Sequence, residues 1–169
     1  MFVKRDYRKI DVILSESKVT TLRLPNRKEE FKGSLQALIK PQNLPMLSDL
    51  KSLNAYANDI SSLQGIGGLS ETLEELNLGS NKISSIPVEF GALSNLKILY
   101  LEDNEIDTFQ IVLCQLKSLV ELRLSGNLIS SISQSIQSLE RLEILVCIMY
   151  TYHLYRHIWL FITLSYVML

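Results

Sequence analysis

Leu73-Glu-Glu-Leu76-Asn-Leu78-Gly-Ser-Asn81-Lys-Ile83, Leu96-Lys-Ile-Leu99-Tyr-Leu101-Glu-Asp-Asn104-Glu-Ile106 and Leu119-Val-Glu-Leu122-Arg-Leu124-Ser-Gly-Asn127-Leu-Ile129 are one pattern written three times. The copies start 23 residues apart, and the same step links Leu50, Leu73, Leu96, Leu119 and Leu142. It also links Leu53, Leu76, Leu99, Leu122 and Leu145, and Asn58, Asn81, Asn104 and Asn127. A fixed period over that many positions marks a repeat architecture.

Within each copy the first half alternates, as in Leu76-Asn77-Leu78, so the leucines share one face of a strand and the residues between them share the other. After the asparagine come two further apolar positions, Ile83/Ile106/Ile129 and Ile86/Phe109/Ile132. Phe90 and Leu93, Leu113 and Leu116, and Ile136 and Leu139 then recur three apart, a spacing suited to a short helical or 3₁₀ turn. No single unit can bury its own leucines, so the units must stack into a continuous core with a parallel sheet along one side. The asparagine sits where the strand becomes a loop and backbone groups lose their strand partners. An amide offers both donors and an acceptor, so Asn58, Asn81, Asn104 and Asn127 are expected to form a structural ladder.

The unit L-x-x-L-x-L-x-x-N-x-I resembles the leucine-rich repeat. The resemblance implies an α/β solenoid, a curved horseshoe with a parallel sheet on the concave face and short helical or 3₁₀ turns on the convex face. The 23-residue period and Ile86-Pro87-Val-Glu-Phe90 are similar to the intracellular repeats of the Ras-suppressor scaffold type. That likeness implies a non-enzymatic signalling adaptor whose partner is a protein, such as a small GTPase or a phosphatase.

Outside the clear copies the pattern weakens. Leu50 to Thr72 is a full-length copy in which Ala55 replaces a leucine. Its glycines, Gly65, Gly67 and Gly68, lack the lysine followed by Ser or Thr that a phosphate loop needs, and read as a turn. Val19 to Leu24 fits the strand half, with Val19, Leu22 and Leu24 inward, but Pro25-Asn26 brings the asparagine one position early. The gap from Val19 to Leu50 is 31 residues, and Phe31 to Leu38 is expected to fill it with a helical turn ended by Lys40-Pro41. A short strand at Ile10 to Leu14 is expected to cover the open end. Residues 1–49 are therefore read as an N-terminal cap and degenerate first repeat, and 50–145 as the repeats proper.

Residues 146–169 break the pattern. Cys147 takes an inward leucine position and Tyr150 stands where the ladder needs asparagine. Three readings are open: a membrane anchor, a terminal cap, or an altered end of a longer array. The 24 residues are long enough to span a bilayer, but His153, Arg156 and His157 fall near the middle. His153 and His157 stand four apart, yet lack the neighbours to complete a metal site.

Composition narrows the function. Of 169 residues, 47% are apolar, the mean hydropathy is +0.16, and the net charge is −1, so no global field draws nucleic acid. Two cysteines, Cys114 and Cys147, cannot make a disulfide framework, and Met1 to Leu14 contains no uninterrupted apolar run of signal-peptide length. A cytoplasmic setting is expected. No catalytic constellation, metal site or cofactor motif is evident.

The outward strand positions remain as the place for function. They form three columns: Ser52, Glu75, Ile98, Glu121; Asn54, Asn77, Tyr100, Arg123; and Tyr56, Gly79, Glu102, Ser125. Tyr and Arg dominate binding hot spots, which singles out Tyr56, Tyr100 and Arg123. Asn54, Asn77 and Ile98 lie among them, and Glu75, Glu102 and Glu121 supply an acidic rim suited to a basic partner. Two other roles compete with the soluble adaptor: a membrane-anchored receptor or adaptor held by residues 146–169, and a regulatory array belonging to a larger signalling enzyme.

Overall fold

Alternating leucines produce a ladder of short parallel strands. The computed structural model describes residues 19–69, 72–149 and 158–163. Among them, strands β1 (Thr21–Arg23), β2 (Ser52–Asn54), β3 (Glu75–Asn77), β4 (Ile98–Tyr100), β5 (Glu121–Arg123) and β6 (Ile144–Met149) pair in sequence order, all parallel. The register aligns Leu22, Leu53, Leu76, Leu99, Leu122 and Leu145, so each inward leucine stacks on its counterparts. At about 4.8 Å per strand, the six span roughly 25 Å. This is the solenoid that the repeat implies.

The returning half of each repeat is a 3₁₀ turn: Ile66–Leu69, Val88–Ala92, Ile111–Gln115 and Gln134–Ser138. Their apolar residues meet the strand leucines in one core, where Leu73, Leu78, Phe90, Leu96, Leu99, Leu101, Leu119 and Leu124 have no solvent exposure. Ala55, in place of a leucine, is also fully buried. Cys147 fills its inward position, and burial pushes its thiol up to about 11, so it stays protonated and inert. Cys114 is buried too, with its thiol also pushed up by burial.

The first coil is longer than the rest, and its extra residues fold differently from the expected single helical turn. Lys28–Phe31 is helical, Leu35–Ala37 is a 3₁₀ turn, and Leu44–Leu47 is helical again. Lys32 and Gly33, at φ 48° and 78°, place left-handed backbone between the first two and so divide the segment. Phe31, Leu35 and Leu38 nevertheless enter the common core. The glycine-rich turn of the next coil makes room for this insertion. A Cβ on Gly68 would lie 3.1 Å from Leu44 Cδ2 and 3.2 Å from Ile39 Cγ2.

At the other end the sheet reverses. Strand β7 (Ile158–Thr163) pairs antiparallel with β6, from Ile144 opposite Thr163 to Met149 opposite Ile158. Among the described residues no helix is long and apolar enough to cross a membrane. The expected strand at Ile10–Leu14 and the positions Tyr150, His153 and His157 lie outside the described residues.

Candidate functional site

Asparagines fix the loop that follows each strand. Asn81 Oδ1 accepts from Asn58 N (2.9 Å) and Ile60 N (3.0 Å), while its Nδ2 donates to the carbonyls of Ala55, Leu78 and Gly79. Asn104 Oδ1 accepts from Ile83 N at 3.0 Å, and its Nδ2 donates to the carbonyls of Leu78, Leu101 and Glu102. Asn127 Oδ1 accepts from Ile106 N, with Nδ2 on the Leu101 and Leu124 carbonyls. Asn58 Oδ1 accepts from Arg27 N, and its Nδ2 donates to the carbonyls of Leu24 and Tyr56. All four asparagines are buried, and each spends its amide on holding one coil to the next.

Arg27 therefore occupies the ladder position of the first coil, and Asn26 the position before it. That preceding position is left-handed in five coils: Asn26, Ala57, Ser80, Asp103 and Gly126 have φ between 53° and 71°. Backbone bonds Asn26 N to Tyr56 O, Ala57 N to Gly79 O, Ser80 N to Glu102 O and Asp103 N to Ser125 O tie these turns together. They also bring Tyr56, Gly79, Glu102 and Ser125 side by side.

On the sheet, the register assembles the other two columns and lengthens them. Ser52, Glu75, Ile98 and Glu121 continue to Thr21 at one end and Ile144 at the other. Asn54, Asn77, Tyr100 and Arg123 continue to Arg23 and Val146. Arg23 was hidden in the sequence by the 31-residue gap, although it has the same parity beside Leu22 and Leu24 as Arg123 has beside Leu122 and Leu124.

Tyr100, Glu102, Glu121 and Arg123 form one cluster. The Arg123 guanidinium carbon lies 4.9 Å from the centre of the Tyr100 ring, within reach of the ring's negative face. Arg123 Nε donates to Glu121 Oε1 at 2.5 Å, and Arg123 NH1 stands 3.7 Å from Glu102 Oε1. The bond to Glu121 raises the Arg123 pKa. Burial raises the Glu102 carboxyl above the usual carboxylate range, against the opposing pull of Arg123. The Tyr100 hydroxyl is raised by burial first and by Glu121 second.

The remaining positions are less tied. Asn54 Oδ1 accepts from Tyr56 N at 3.1 Å and Asn77 Oδ1 from Gly79 N at 2.9 Å, so each side chain caps its own strand end. Glu75 is exposed and Ile98 half-buried between Glu75 and Glu121. Tyr56 is 42% exposed, and its ring leans over the next strand's turn: a Cβ on Gly79 would lie 3.3 Å from Tyr56 Cδ2. The outward positions of these four coils thus carry three carboxylates, one guanidinium, two tyrosines and an isoleucine on a rigid frame. Such a surface can bind by aromatic packing, charge and hydrogen bonds together. Among the described residues no group of three or more His, Cys, Asp or Glu is placed to hold a metal.

Comparison with known proteins agrees with this geometry. The family described as leucine rich repeat matches residues 48–106 and 71–129. No curated protein matches the chain. Among solved structures, a leucine-rich repeat protein of Leptospira interrogans is 29% identical, with a TM-score of 0.67 over 82% of this chain and 34% of that one. An internalin of Listeria monocytogenes is 23% identical, with a TM-score of 0.61 over 83% of this chain and 46% of the internalin. The ectodomain of an Arabidopsis thaliana membrane receptor kinase, solved in complex with Casparian strip integrity factor 2, is 23% identical, with a TM-score of 0.53 over 79% of this chain and 15% of the receptor. The chain spans about a third of the length of the Leptospira protein.

Proposed function

We propose that this chain, whose residues 48–129 match the leucine-rich repeat family, is a protein-binding scaffold whose contact surface is the concave face of β2 to β5. Proteins of this family are typically non-enzymatic modules that bind other proteins. The observation that carries the choice of surface is the Tyr100–Arg123 pair. Arginine and tyrosine together supply large contact area with little freedom to lose, because Glu121 and the ring already hold the guanidinium in place. Asn54, Tyr56, Glu75, Asn77, Ile98 and Glu102 surround the pair as adjustable polar and apolar contacts.

We further place the protein in the cytoplasm as a signalling adaptor, with a small GTPase or a phosphatase as the partner class. The 23-residue period and the Ile86-Pro87 turn support this placement through their likeness to the Ras-suppressor scaffold type. In the Arabidopsis receptor a bound factor accompanies the same fold, and that complex supports reading the repeat array as a docking element.

The test compares affinity capture by the wild-type chain with capture by a Tyr100→Ala/Arg123→Ala variant, using labelled lysate and quantitative mass spectrometry. Surface ion pairs contribute at most about 1 kcal/mol, so the variant is expected to fold with a nearly unchanged melting temperature. Proteins enriched by the wild type should drop by about tenfold or more on the variant, the scale of a hot-spot loss. Equal enrichment by both chains would refute the surface.

A further inference from the structure

Opposite charges on neighbouring coils pair in several places along the molecule. Lys51 and Lys97 close on Glu74 from the coils on either side, at 3.1 Å and 2.6 Å, and Lys82 stands 3.4 Å from Asp59. On the sheet itself Arg123 is held by Glu121 at 2.5 Å and faces Glu102 at 3.7 Å. Two charges of the outward columns stand outside this pattern, Arg23 on β1 and Glu75 on β3. Both are exposed, and neither makes an ion pair among the described residues. The outward positions of β1 to β5 thus hold two guanidinium groups and three carboxylates, of which Arg123, Glu102 and Glu121 are committed to one another. One open charge of each sign is left.

Strand β2 keeps these two apart. The register sets Arg23 beside Asn54, and Glu75 beside Ser52, so a whole strand and a two-residue offset lie between them. At about 4.8 Å per strand and 3.3 Å per residue, their Cα positions are roughly 12 Å apart. Ser52 and Asn54 between them are uncharged and half-buried, and the Asn54 oxygen is tied to Tyr56 N. The N-terminal part of the concave face is therefore dipolar, with a guanidinium on one side of β2 and a carboxylate on the other.

We propose that Arg23 and Glu75 are the charges that select and orient the partner, reading a segment that places an acidic residue over Arg23 and a basic residue over Glu75. This inference rests on the concave-face reading above. Open charges on a rigid frame reject a wrong partner more strongly than they hold the right one, because reversing the occupant sets like charges together. In an extended segment crossing β2, residues four apart share a face at about 13 Å, which matches the separation of the two groups. The planar Arg23 guanidinium suits a carboxylate, which it can grip through two parallel hydrogen bonds.

The experiment selects a displayed library of random 12-residue peptides on the full-length chain, then measures the enriched peptides by fluorescence anisotropy. Enriched sequences are expected to share an acidic and a basic residue about four positions apart. A peptide with those two residues exchanged should bind the wild type about tenfold more weakly, and the Arg23→Glu/Glu75→Arg chain should prefer the exchanged peptide by a similar factor. Arg23→Met and Glu75→Gln should each narrow the discrimination, and added salt should weaken binding of the original peptide. Circular dichroism of each variant checks the fold. Enrichment of peptides without the charge pair, or of none, overturns the inference. So does one preference shared by the wild type and the charge-exchanged chain. If Tyr100→Ala/Arg123→Ala abolishes that shared binding, the concave-face reading stands without this inference. Binding indifferent to every substitution removes both.

Discussion

Asn81 and Asn104 follow polar residues, Ser80 and Asp103, and differ from them in what they touch. Neither is exposed, and each satisfies backbone groups from two coils. Asn104→Ala would strand the Ile83 amide and shorten the supply of donors to the Leu78, Leu101 and Glu102 carbonyls. Each buried group left unpaired costs about 1–3 kcal/mol, so a loss of about 2–4 kcal/mol is expected in urea denaturation. One residue earlier the constraint is conformational. Gly126 has φ 71°, and a Cβ there would lie 2.1 Å from Asp103 Oδ1, so Gly126→Ala should destabilise by about 1–2 kcal/mol. Ala57 adopts the same left-handed turn at φ 57° with a side chain in place, and Ala57→Gly should raise stability by up to about 1 kcal/mol. The asparagine ladder was legible in the sequence because its spacing is fixed. That Arg27 and Asn26 occupy the same two positions was not, since only the cross-coil bonds reveal the alignment.

At the scale of elements, the strands and turns of residues 50–145 follow from the period alone, since a leucine one residue out of register would face solvent. The inserted segment of the first coil is different. Its left-handed residues Lys32 and Gly33 leave no periodic mark, and the sequence suggested one helical turn where there are three. The glycines of the second coil are explained only when Leu44 and Ile39 are seen against Gly68. Gly68→Ala forces two packed aliphatic side chains to move and should cost about 1 kcal/mol in thermal unfolding. Gly91 gives the contrasting case. A Cβ there would meet Gln115 Oε1 at 1.9 Å, but Gln115 is exposed and can swing aside, so Gly91→Ala should stay within about 0.5 kcal/mol of wild type. Strand β7 was equally hidden, because its antiparallel return has no counterpart in the repeat.

Across the whole molecule, a continuous leucine core holds a sheet whose outward residues are free to vary, and this separation is what lets one architecture present a specific surface. The columns could be written from parity, but their chemistry could not. Arg123 settling on Tyr100 between two carboxylates, and Tyr56 leaning over Gly79, depend on side-chain directions that residue spacing leaves undetermined. The convex side offers an internal control. Ile111, at the start of its 3₁₀ turn, is 61% exposed and faces away from the sheet columns. The most direct measurement places a photo-crosslinking residue at position 98 in one chain and at position 111 in another, and irradiates each with the captured partner. The account predicts a discrete adduct from position 98 and none from position 111. An adduct from position 111 alone would put binding on the convex turns and contradict it.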